Sequence, residues 1–224
     1  MMFTSFLHRF DPARRTHIRV PAEFHGSTYG GWTIHPAGLS PDSIVYAFGV
    51  GEDISFDLSL IEAYGVQLHA FDPTPRSIAW AKTQDLPEQF TLHEVGLADF
   101  NGTARFFPPE NHEHISHTLL DRPPTADRAI EVPVRRLPDL MADLGHDRID
   151  ILKMDIEGAE FAVIEDVAAA PVGQVLVEFH HRFEGVTFRE TRQAVRRLRR
   201  AGYRVFHISE HGTEYSFIHR AAGA

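Results

Sequence analysis

A short apolar run, Ile44–Phe48, stops at Gly49 and gives way to apolar residues at helical spacing, Ile54, Leu58 and Ile61. The alternation repeats: 66–71 reads as a strand, 75–83 as a helix and 90–95 as a third strand. Strands separated by helices return parallel to one another, so this order predicts a parallel sheet covered by helices. The rhythm resumes with a strand at 149–154, a helix at 159–168, a strand at 174–179 and a helix at 187–201. The 174–179 segment has little polar alternation, as expected of a strand buried on both faces. Segments 204–208 and 214–218, joined by Glu210-His211-Gly212-Thr213, read as a terminal antiparallel hairpin. The predicted fold class is therefore α/β, a Rossmann-like, mostly parallel sheet with a C-terminal antiparallel hairpin.

Two stretches fall outside the rhythm. Residues 1–42 are punctuated by Gly26, Gly30, Gly31, Pro36, Gly38 and Pro41 and read as an irregular N-terminal extension, with Tyr29 to Trp32 placed as part of a substrate lid. Residues 43–224 form the main domain, in which about 100–148 is an insertion. It holds two strand-like segments, 103–107 and 130–134, a helix at 137–144, and a polar loop rich in Pro and His. Long loops in compact domains are often functional, so 108–124 is expected to roof the substrate pocket and to be mobile without substrate. His112, His114 and His117 in that loop have ligand-like spacing but are read as exposed side chains, with no cysteine beside them to favour zinc.

The chain has 224 residues, a length that suits one large α/β domain. It contains no cysteine, which excludes disulfides, thiol catalysis and thiolate metal sites. No apolar stretch approaches a membrane span and the first residues lack the pattern of a secretory leader, so a cytoplasmic location without membrane association is expected. A formal net charge of −9 disfavours nucleic acid as a partner. The densest basic run, Arg189, Arg192, Arg196, Arg197, Arg199 and Arg200, falls on a helix whose Val195 and Leu198 face inward, and it reads as a solvated helix face.

Chemistry concentrates at the predicted carboxyl ends of the strands, where open α/β sheets bind ligands. Gly49-Val50-Gly51 permits a tight turn and close approach of a ligand to the backbone. Asp72 closes the next strand, twenty-one residues beyond Gly51, where a carboxylate can accept both hydroxyls of an adenosine ribose. A dinucleotide site would place a small residue near position 54, yet this chain has Ile54. Glu52 and Asp53 would also repel a pyrophosphate. S-adenosylmethionine, cationic and without phosphate, fits this charge better. Asp155 closes the 149–154 strand, and Glu178 and His180 end the following one on a common face. A carboxylate beside an imidazole can remove a proton from a hydroxyl, which makes His180 the candidate base, with Asp155 and Glu178 orienting it or the acceptor. The same three groups could instead hold a divalent metal. Mg²⁺ takes imidazole poorly, so metal-free base catalysis is the favoured expectation.

These residues resemble a known family. Lys153-Met154-Asp155-Ile156-Glu157-Gly158-Ala159-Glu160 is similar to the most recognisable segment of the FkbM family of S-adenosylmethionine-dependent methyltransferases. Ala70-Phe71-Asp72-Pro73-Thr74-Pro75 resembles its second motif, with Asp72 where Glu is commoner. Gly96 to Thr103 resembles the stretch after the third strand, and Val177-Glu178-Phe179-His180 the one after the fifth. The first motif departs from the usual Asp-x-Gly-Ala-Asn-x-Gly, because Ala47 stands where Asp is usual. The resemblance implies a class I methyltransferase sheet, Gly49, Gly51, Asp72, Leu97 and Asp99 at the cofactor, and Asp155 near its methionine end. It also implies methyl transfer to a hydroxyl oxygen of a sugar or natural product, with a small-molecule acceptor as partner. An NAD-dependent oxidoreductase and a catalytically silent domain of the same fold are the alternatives. The sequence is silent on the acceptor's identity and on the oligomeric state.

Overall fold

The computed structural model describes residues 11–107, 129–183 and 185–221. Residues 108–128, including His112, His114, His117 and the expected roof at 108–124, lie outside the described residues.

Seven strands form the main sheet: β3 (Ile44–Phe48), β4 (Gln67–Phe71), β5 (Phe90–His93), β9 (Ile149–Met154), β10 (Val172–Glu178), β11 (Tyr203–Ile208) and β12 (Glu214–His219). Their spatial order is β11-β12-β10-β9-β3-β4-β5. The strands from β10 to β5 pair parallel, whereas β12 runs antiparallel to β10 and to β11. This is the mostly parallel, Rossmann-like sheet with a C-terminal antiparallel hairpin that the alternating pattern predicts. The chain order reverses direction between β3 and β9, and at such a switch point the diverging loops leave a crevice at the carboxyl edge.

Side chains alternate between the two faces of the sheet. Tyr46, Phe48, Leu152, Met154, Val175 and Val177 join one core with residues of α3 (Leu137–Leu144), α4 (Glu160–Ala169) and α5 (Phe188–Arg200). Val45, Leu68, Ala70, Ile151 and Leu176 join the other, which α1 (Ser55–Tyr64) covers with Phe56, Leu60 and Ile61. The seventh residue of the short α2 (Pro75–Ala81), Ala81, packs into this second core. Helix α5 carries a complete capping box at Thr187 and Glu190. Its arginines lie on the outer side while Ala194, Val195 and Leu198 are buried, as read from the sequence.

Two features differ from the sequence reading. The N-terminal region is more ordered than its glycines suggest, with β1 (Glu23–His25) and β2 (Trp32–Ile34) pairing antiparallel. Trp32 and Ile34 are buried against the sheet. The Gln174 amide fastens the segment, accepting from His35 N at 2.8 Å and donating to His35 O at 2.7 Å, and Ser216 Oγ donates to Thr33 O at 2.7 Å. Strands of three residues are too short to show a period, which is why the sequence hides them. The insertion contains the two expected strands, β7 (Gly102–Phe106) antiparallel to β8 (Ile130–Arg135), and just before it a two-residue strand β6 (Gly96–Leu97) pairs parallel with β8.

Candidate active site

A cavity of about 390 Å³ opens at the carboxyl edge of β3, β4, β9 and β10, the edge that the chain's switch point predicts. At one end Gly49, Val50 and Gly51 turn away from β3. Gly49 has φ 84°, and a Cβ built there would lie 1.9 Å from the carbonyl oxygen of Asp155, so only glycine fits. Asp72, 5% exposed, ties this turn down. Its Oδ2 accepts from Val50 N at 3.0 Å and Gly51 N at 3.1 Å, and its Oδ1 accepts from Thr74 N at 2.8 Å and Thr74 Oγ1 at 2.6 Å. A carboxylate has about four acceptor positions, and all are engaged within the protein. Buried Lys153 adds a further tie, with its Nζ donating to Gly49 O at 2.5 Å.

The opposite end is acidic. Asp155 follows β9, Glu178 ends β10, and Glu214 begins β12 beside it in register, so three carboxylates meet where neighbouring strands end. Glu157 joins them from a left-handed backbone conformation, φ 52°, uncommon outside glycine. Burial pushes the Glu178 carboxyl up to about 7, and the charge of Asp155 adds to the shift; the nearby His180 opposes it. Glu214 is raised as well, again by burial first and then by Asp155 among its neighbours.

His180 is the cation among these acids. Burial works against its charge, but the hydrogen bond to Glu160, the Glu160 charge and the carboxylates of Glu157 and Asp155 outweigh that cost and hold the ring at about 10. Nδ1 lies 2.6 Å from Glu160 Oε1, while Nε2 faces Glu157 at 3.4 Å and Asp155 at 3.7 Å. An imidazolium has no lone pair for an incoming proton, so in this state His180 is a donor. Its expected role as a base requires loss of that proton, which the contact with Glu160, from a different element, opposes.

Every predicted catalytic residue, Asp155, Glu178 and His180, lines the cavity, as do Gly49, Gly51, Asp72 and Leu97. Asp99 does not; it borders a separate shallow depression with Phe100 and Thr103. One ligand atom from each of Asp155, Glu178 and His180 lies within 4.8 Å of the others, close enough to share a metal ion. Sequence reasoning gave no role to Glu160, Lys153 or Glu214. Glu160 opens α4, where an acid reads as a dipole-favoured first-turn residue, and nothing local reveals that it meets His180 twenty residues later. Tyr29 and Trp32 line the cavity from the N-terminal segment, where the lid was expected.

Residues 41–205 match the methyltransferase FkbM domain. The chain is 27% identical over 177 residues to a probable methyltransferase-like protein 24 of Rattus norvegicus, covering 73% of this chain and 42% of that protein. It is 28% identical over 144 residues to the 2-O-methyltransferase NoeI of Sinorhizobium fredii, covering 55% of this chain and 57% of that one. It is 25% identical over 179 residues to the 31-O-demethyl-FK506 methyltransferase FkbM of Streptomyces tacrolimicus, covering 65% and 68%. The chain thus spans 42% of the rat protein's length and 57% of NoeI's. Since the domain match takes in β3 through the start of β11, with Gly49, Asp72, Asp155, Glu178 and His180 of the cavity, the chain belongs to the FkbM-domain methyltransferases.

Proposed function

We propose that the protein transfers the methyl group of S-adenosylmethionine to a hydroxyl oxygen of a small-molecule acceptor. The observation that carries this reading is one cavity with a glycine turn at one end and a carboxylate cluster at the other. The nucleoside lies against the glycine turn, with Leu97 beside the adenine. The methionine end, with its sulfonium and ammonium charges, points to Asp155. Glu52 and Asp53 at the turn disfavour a dinucleotide's phosphates there. Asp72 contributes by fixing the turn that the nucleoside approaches. Asp99 borders a separate depression beside this cavity. The N-terminal segment closes the acceptor side through Tyr29 and Trp32.

The reaction is an in-line displacement. The acceptor oxygen forms its bond to the methyl carbon as the carbon–sulfur bond breaks, S-adenosylhomocysteine leaves uncharged, and the hydroxyl proton leaves through the carboxylate cluster to solvent. The relatives whose names specify an oxygen acceptor support a hydroxyl as nucleophile. Calorimetry with S-adenosylhomocysteine and with NADH tests the cofactor: homocysteine-nucleoside binding without NADH binding is expected, and the reverse result overturns the reading. Transfer of label from methyl-labelled cofactor to a hydroxyl acceptor then separates an enzyme from a silent domain.

A further inference from the structure

Asp155 and the pair Glu178 and His180 stand at the ends of two strands, β9 and β10, that pair in parallel register. We propose that these three side chains form a binding site for a divalent cation, with Mn²⁺ the best-suited ion. The purpose of this site rests on the methyl-transfer reading; its existence does not.

The first observation is an orphaned acceptor. Asp155 Oδ1 is shut off from solvent and has no hydrogen-bond partner. Its charged neighbour His180 Nε2, at 3.7 Å, is beyond hydrogen-bond reach, and a bound cation would give this oxygen a direct partner. The second is the setting of His180, whose side chain is 9% exposed. Its Nδ1 is fixed by Glu160, itself 0% exposed, and this leaves Nε2 turned toward Asp155 and Glu157. Metal-binding histidines almost always give the second ring nitrogen to a carboxylate or carbonyl in this way, which fixes the ring's direction and makes it a better ligand. The third is mutual distance. The three ligand atoms lie within 4.8 Å of one another, and bonds of about 2.1 Å hold opposite ligands about 4.2 Å apart, so little closure is needed.

The charge balance points the same way. Asp155, Glu157, Glu178 and Glu214 line this end of the cavity, and Lys153 on its wall is bonded to Gly49 O. These carboxylates attract a double charge more strongly than a single one, because the interaction scales with charge. A metal-bound Nε2 carries no proton. Two carboxylates and one imidazole make a mixed oxygen–nitrogen set. Mg²⁺ prefers oxygen alone and copper or zinc favour more nitrogen or sulfur, which leaves Mn²⁺ as the best match. At this end of the cavity the ion faces the acceptor hydroxyl and lowers its pKa.

The test is a titration of the full chain with Mn²⁺, followed by the loss of the free-ion paramagnetic resonance signal, with and without S-adenosylhomocysteine. One Mn²⁺ per chain is expected. Glu178→Gln and Glu160→Gln should each weaken Mn²⁺ binding about 10- to 100-fold while S-adenosylhomocysteine affinity is retained. Should Glu160→Gln fail to fold, Glu178→Gln decides alone. No uptake at millimolar free Mn²⁺, or equal uptake by wild type and Glu178→Gln, overturns the site. Failure of S-adenosylhomocysteine to bind would remove the methyl-transfer reading, while the titration without it would still decide the metal.

Discussion

At the glycine end of the cavity Asp72 has every acceptor position filled by a backbone or hydroxyl donor of the chain itself. At the acidic end Asp155 Oδ1 is buried without any such donor, and Glu178 and Glu214 face it with charges of the same sign. The first region is finished before a ligand arrives: the turn has one shape, and binding need not order it. The second is held in place by strand ends and by the Glu160–His180 contact but remains electrostatically incomplete. Such local frustration is costly to the fold and persists where function needs it. Shape recognition belongs to one end and charge to the other.

The sharpest attempt to break this contrast is Gly49→Ala. Its Cβ would be driven into the Asp155 carbonyl, 1.9 Å away, at a φ of 84°, so the turn must move. Loss of measurable S-adenosylhomocysteine binding and a destabilisation of at least about 2 kcal/mol are expected from calorimetry and chemical denaturation. Wild-type affinity would show that the turn does not shape the nucleoside site.

Glu178→Gln probes the other end and should have the opposite signature. Removing one of several like charges raises the melting temperature of the ligand-free protein by a few degrees near pH 8. Turnover should fall by about 100-fold or more, with S-adenosylhomocysteine affinity nearly unchanged. A variant that loses stability and activity together would make Glu178 a structural residue and erase the distinction between the two ends.

Asp72→Ala lies between these cases. Releasing Val50 N, Gly51 N and Thr74 slackens the turn without introducing a clash. The expected loss is about 10- to 100-fold in S-adenosylhomocysteine affinity, equivalent to about 1.5–3 kcal/mol. Unaltered affinity would place the nucleoside elsewhere.

The smallest effect comes from a titratable cluster outside the cavity. His69 Nδ1 and His93 Nε2 share a hydrogen bond of 3.0 Å, and His146 Nδ1 contacts Tyr46 Oη at 2.7 Å. Burial and the neighbouring rings of His146 and His93 push His69 down to about 4. A depressed histidine is neutral in the fold while the unfolded chain protonates near 6.5, so below that pH the unfolded state binds more protons. Its contribution is complete above about pH 6.5 and is lost as pH falls toward 4. The melting temperature should drop by a few degrees from pH 7 to pH 5, and less so in His69→Gln. Equal slopes would mean that other groups control acid stability.

The sequence by itself determined the succession of elements and the edge of the sheet that carries the chemistry. Helix α3 and strand β9 occupy the residues read from apolar spacing, and Gly49, Asp72, Asp155, Glu178 and His180 stand at the strand ends because topology follows from that succession. These features are legible because helices and strands satisfy their hydrogen bonds and bury their apolar side chains with fixed local periods. Tertiary structure alone decided the rest. It laid β1 and β2 across the sheet through a Gln174 amide 139 residues from His35, and left Asp99 outside the cavity. It also engaged Asp72 with its own turn and set Glu160 on His180. None of these contacts has a period, because each joins residues that packing brings together from different elements. The charge a side chain carries depends on those neighbours and on their burial, and both exist only once the chain has folded.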